Sequence, residues 1–75
     1  MLTISNNKTI NGQIDDDVTV ENGGVLTLNG QITKNLFVEL GGIATINGML
    51  IGNLINKGQI SINGRVLGSI SNLAS

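Results

Sequence analysis

Residues 27–32 read Thr-Leu-Asn-Gly-Gln-Ile, and the phrase returns as TINGQI at 9–14, TINGML at 45–50 and SINGRV at 61–66. The four glycines, Gly12, Gly30, Gly48 and Gly64, stand 18, 18 and 16 residues apart. Self-similarity at a fixed period marks a repeat architecture, in which each copy buries its apolar side only by stacking on the next. A second signal, Asn22-Gly23-Gly24 against Leu40-Gly41-Gly42, keeps the same 18-residue period. The last interval is two residues short, with Lys57-Gly58 where a glycine doublet is expected. That is a trimmed turn at unchanged strand register.

Between the glycines the apolar residues alternate in short bursts: Val18-Thr19-Val20, Leu26-Thr27-Leu28, Leu36-Phe37-Val38, Ala44-Thr45-Ile46 and Ile60-Ser61-Ile62. Period-two alternation bounded by Asn-Gly and Gly-Gly predicts short strands with sharp corners. Asn and Gly suit such corners because they reach φ > 0 cheaply. No segment has the 3.6-residue spacing of a substantial helix.

Stacking the copies produces columns. Ile10, Leu28, Ile46 and Ile62 form one; Ile14, Ile32, Leu50 and Val66 another; Val18, Leu36, Leu54 and Ile70 a third. A fourth begins with Val20 and Val38 and continues with Asn56 and Asn72. The expected fold is therefore all-β: a triangular parallel β-helix, one domain over residues 1–75, with about four rungs of about 18 residues and three strands per rung. Rungs would lie ~4.8 Å apart. A sandwich of β-hairpins would not require matching hexapeptides at a fixed interval. Narrow aliphatic ladders also account for Phe37 being the sole aromatic residue.

Composition narrows the function. Seventy-five residues leave room for one small domain. There is no Cys, hence no disulfide framework and no Cys-based zinc site, and there is no His, Trp, Tyr or Pro. A net charge of −1, four scattered cations and one aromatic offer no nucleic-acid surface. No apolar run approaches the ~20 residues of a membrane span. The N-terminus lacks the basic and hydrophobic regions of a signal peptide, so a cytoplasmic location is expected. Without His or convergent Lys, no Ser or Thr has a base to activate it, and the glycine doublets are spaced as corners rather than as a phosphate cradle. The expectation is a non-enzyme without cofactor or metal.

The pattern LNGQI…GG, and above all ISINGRVLGSIS at 60–71, resembles the core of the bactofilins, a bacterial cytoskeletal family. The resemblance covers most of residues 9–71. It implies a right-handed β-helix that polymerises end to end without nucleotide. The left-handed hexapeptide β-helix of acyltransferases is a second comparison, since Ile14, Val20, Leu26, Ile32, Val38, Ala44 and Leu50 lie six apart. Its small-residue position is taken here by Val18, Leu36 and Leu54, and its catalytic His has no counterpart.

Among surface features, Asp15-Asp16-Asp17 is the densest carboxylate cluster, read as a solvated corner with Lys34 stacked over Asp16. Glu21, Glu39 and Lys57 share a column. Thr9, Thr27, Thr45 and Ser61 stand beside an asparagine rank, Asn11, Asn29, Asn47 and Asn63, expected to hydrogen-bond along the axis. The feature that points to function is apolar. Phe37 and Ile55 share an outward column, Ile51 and Leu67 share the next, and Met49 lies beside them, with Val25 and Ile43 a smaller outward pair. A contiguous apolar patch marks a partner surface. The expected protein-interface residues are thus Phe37, Met49, Ile51, Ile55 and Leu67. The expected role is a self-associating structural or interaction module, as a lateral dimer or an end-to-end polymer. The alternatives are a small inhibitor of another protein, such as a toxin-neutralising immunity protein, or a fragment of a longer surface solenoid.

Overall fold

The computed structural model describes residues 1–73; the last two positions of the expected domain lie outside the described residues. Thirteen short strands are distributed over three parallel sheets, with no helix among the described residues. Sheet A holds β1 (Leu2–Ile4), β4 (Val18–Val20), β7 (Leu36–Val38), β10 (Leu54–Asn56) and β13 (Ile70–Asn72), in that order. Sheet B holds β2 (Asn7–Ile10), β5 (Val25–Leu28), β8 (Ile43–Ile46) and β11 (Gln59–Ile62). Sheet C holds β3 (Gln13–Ile14), β6 (Gln31–Ile32), β9 (Met49–Leu50) and β12 (Arg65–Val66). The chain visits the sheets in rotation, giving a three-sided β-solenoid of about four turns.

Register follows the repeat. Val18 pairs with Leu36, Leu36 with Leu54, and Leu54 with Ile70. Ile10, Leu28, Ile46 and Ile62 are likewise partners in succession, as are Ile14, Ile32, Leu50 and Val66. Each strand alternates, so one residue set enters the prism and its neighbours face out. Leu26, Leu28, Ile32, Leu36, Ile46, Leu50 and Leu54 are wholly buried. Burying such a side chain contributes about 1.5–3 kcal/mol, which is what holds strands this short in place.

Asn-Gly corners and glycine-doublet corners use glycine for different reasons, and here the structure corrects the expectation. Positive φ occurs at Gly23 (86°) and Gly41 (85°) and at no non-glycine residue among those described. The Asn-Gly glycines do not need it. They are glycines because a Cβ on Gly30 would strike the carbonyl oxygen of Gly12, and one on Gly48 that of Gly30. Close stacking of backbone on backbone, not turn conformation, excludes a side chain there.

The trimmed turn lies between sheets A and B. Connections 21–24 and 39–42 have four residues, whereas 57–58 has two, and so does 5–6. In the longer corners the N–H of Gly24 or Gly42 donates to the carbonyl of Glu21 or Glu39, at 2.8 and 2.9 Å. In the short corner Gly58, stacked on Gly42, donates instead to Asn56 Oδ1 at 3.0 Å. Asn56 therefore stands in the Val20–Val38 column because its amide replaces a deleted turn carbonyl. Its Nδ2 donates to Asn72 Oδ1 at 3.0 Å, so this buried polar group is satisfied on both sides.

Candidate functional site

The Asn-Gly edge carries a continuous amide ladder. Asn29 Nδ2 donates to Asn11 Oδ1, Asn47 to Asn29 and Asn63 to Asn47, at 3.1, 3.1 and 3.0 Å. Beside it runs a shallow trough floored by the glycines and walled by Asn11, Gln13, Gln31, Met49 and Arg65. Its ladder amides are spent on one another, which leaves little to recognise a ligand. A second ladder, not foreseen, runs along the edge between sheets C and A. There the N–H groups of Asn35, Asn53 and Ser69 donate to the side-chain oxygens of Asp17, Asn35 and Asn53, at 3.1, 3.0 and 3.0 Å. Its signal was the 18-residue recurrence of Asp17, Asn35 and Asn53.

Ladder bonding also absorbs the acidic corner. Asp17 accepts from the backbone above, and Asp15 accepts from Thr33 Oγ1 at 3.1 Å and Gln13 Nε2 at 2.6 Å. Asp16 pairs with the Met1 ammonium at 2.6 Å, and no ion pair joins it to Lys34 among the described residues. The stacking expected of Lys34 is replaced by a nearer cation. The hydrogen bond from that ammonium, with a further one from the Asp17 N–H, holds the Asp16 carboxyl below the usual carboxylate range. Lys57 meets Glu39 at 3.8 Å, as their shared column implied. No group of three Asp, Glu, His or Cys side chains converges among the described residues.

The five expected interface residues do not form one face. Phe37 and Ile55 are cross-strand partners pointing out of sheet A. Met49 points out of sheet C, between Gln31 and Arg65, and Ile51 and Leu67 follow β9 and β12 near the corner leading to sheet A. The group wraps an edge because β9 is only two residues long, so Ile51 already lies at the bend. Ile51 and Leu67 are exposed; Phe37, Met49 and Ile55 are half-buried.

A larger contrast separates the two ends. At the N-terminal end Ile4 and Ile10 are 3% and 5% exposed. At the C-terminal end Ile62, in the Ile10 column, is 38% exposed and Ile70 is 49% exposed. One column ends differently from the rest: Lys8 stands in register with Leu26, Ala44 and Ile60. A cation thus occupies a core-column position in the first rung. The 18, 18, 16 spacing places it there in the sequence too, although its polar character hides it from any search for apolar columns. These features define a class, the three-sided parallel β-solenoid, whose first rung is covered and whose last described rung is exposed. No family model, curated protein or solved structure matches the chain.

Proposed function

We propose that the protein is a non-enzymatic, self-associating structural or interaction module, as its resemblance to a minimal bactofilin core implies. The observation that carries this reading is the apolar surface of the later rungs. It comprises Phe37 and Ile55 on sheet A, Met49, Ile51 and Leu67 around the edge of sheet C, and the exposed Ile62, Ile70 and Leu73 of the last described rung. An open rung exposes both core side chains and unpaired strand groups, which solenoids otherwise cover with caps. A core this thin gains from association, because domains of this size rarely exceed about 3–5 kcal/mol alone. The test is sedimentation equilibrium from millimolar to micromolar protein, with thermal melts at the same concentrations. The mass should fall and the melting temperature drop on dilution. A constant monomer mass with constant melting temperature would overturn self-association and favour docking of a different polypeptide.

A further inference from the structure

We propose that the corner Asn22-Gly23 is a site of spontaneous deamidation, and that the fold holds the stacked Asn-Gly pairs of the amide ladder inert toward the same chemistry. The inference is independent of self-association.

Asparagine is followed by glycine five times, at Asn11, Asn22, Asn29, Asn47 and Asn63. Such a dipeptide carries its own reaction, because glycine has no side chain to keep its backbone nitrogen away from the preceding carboxamide. The nitrogen of Gly23, on losing its proton, bonds to Cγ of Asn22. The Cγ–Nδ2 bond breaks, and the amide leaves as ammonia with that proton. Water then opens the resulting succinimide at either carbonyl, giving aspartate or isoaspartate. One water enters and one ammonia departs, with no oxidant or catalyst.

Closure needs a glycine N–H released from its acceptor and an asparagine side chain able to swing onto the nitrogen. Ladder pairs offer neither. The N–H groups of Gly30, Gly48 and Gly64 donate to the carbonyls of Ile10, Leu28 and Ile46, at 2.9, 2.9 and 2.8 Å. The carboxamides of Asn29, Asn47 and Asn63 each donate to the asparagine one rung below. All of these bonds run to the preceding rung, so none depends on what lies beyond the last one. Asn11, held by the bond it accepts from Asn29, is protected in part.

Asn22 differs on both counts. It is exposed, in the four-residue connection 21–24 and away from the ladder edge. Its carboxamide lies against Gly41, where a Cβ would meet Oδ1 at 2.7 Å, and not against another asparagine. The Gly23 N–H donates to the Gly41 carbonyl at 3.2 Å, a longer bond than any made by the ladder glycines. The connection lies between β4 and β5, so the extra main-chain carbon of isoaspartate falls where no strand register is set. The new carboxylate stands next to Glu21 and adds one negative charge to a chain of net charge −1.

The folded chain, aged at mildly alkaline pH, can be mapped residue by residue by fragmentation mass spectrometry. Since each hydrogen bond that must open slows closure by up to about tenfold, Asn22 should convert about tenfold or more faster than Asn29, Asn47 or Asn63. In denaturing urea the four rates should converge. Asn22→Gln should keep its circular dichroism and lose the leading acidic species on ion exchange. Asn47→Ala removes the acceptor of Asn63 Nδ2 and the donor to Asn29 Oδ1, and should raise conversion at both neighbours severalfold. Ladder asparagines that convert as fast as Asn22 in the folded chain overturn the proposal. So does a rate difference that survives urea, since local sequence would then be its cause. A folded Asn47→Ala chain with unchanged rates at Asn29 and Asn63 overturns the protective role of the side-chain ladder.

Discussion

Ile10 and Ile62 occupy the two ends of one column, yet the first is sealed and the second is open. β1 and β13 are the two outer strands of sheet A, but they differ in burial: Leu2 and Ile4 pack into the core beneath Val18 and Val20, whereas Ile70, with Ile62 and Leu73, meets solvent. One repeating motif thus gives a covered first rung and an exposed last described rung, according to what precedes its first copy and what fills its last positions. Repetition sets the shaft; the departures from repetition set the chemistry of the ends.

Charge inserted along the Ile10–Ile62 column gives the sharpest contrast. Ile46→Asp buries a carboxylate with no partner, a cost of several kcal/mol that exceeds what a domain this small possesses. It should abolish the folded circular dichroism spectrum. Ile62→Asp, one rung on, can hydrate its carboxylate and should fold with a loss of about 1 kcal/mol. If both variants unfold, the last described rung is not exposed. Cavities give a milder version. Ile10→Ala should cost about 2–4 kcal/mol in urea unfolding, and Ile62→Ala about half that or less.

Glycine tests the same polarity on the backbone. Nothing lies within 4 Å of a Cβ added at Gly12, because no rung lies beneath it, whereas one at Gly30 would meet backbone. Gly12→Ala should change stability by less than about 0.5 kcal/mol, and Gly30→Ala should lower it by about 1–3 kcal/mol. Equal effects would mean that the Asn-Gly edge serves turn conformation after all.

The smallest effect concerns pH. The carboxyl of Asp16 is depressed in the folded state, so its contact with Met1 contributes fully above the ordinary carboxylate range. That contribution fades as pH falls below about 4. In an acid titration followed by NMR, the Asp16 side chain should titrate below a free aspartate, and the β1 amides should exchange faster as it does. A normal midpoint for Asp16 would show that the pair does not anchor β1.

Rung length, the three columns, the trimmed turn and the asparagine ladder were all legible, because each repeats and repetition amplifies a weak local signal. The reason for Gly30 was not, since a clash with the rung beneath is a property of stacking distance and has no sequence signature distinct from a turn. Asp16 was assigned to Lys34 by column, while its nearest cation came from the terminus, which no column contains. The lateral group was correctly read as outward-facing at Phe37 and Ile55, but alternation alone does not say where a two-residue strand such as β9 bends. Lys8 escaped because it is an exception to its own column, visible only once the rule is known.

Asn56 carries a consequence for how such chains can vary. The edge between sheets A and B accepts either four residues or two, and the shorter version leaves the strand register of both neighbours intact. At the short corner inside the solenoid, Asn56 supplies the acceptor that Gly58 would otherwise lack, whereas the two-residue corner 5–6 of the first rung follows Ile4 and does without one. A descendant that loses Asn22-Gly23 would leave the Gly24 N–H in the position of Gly58, and Val20→Asn is the substitution that would serve it. The molecule thus has one adjustable seam, and the inward residue ahead of it is where a change in length is compensated.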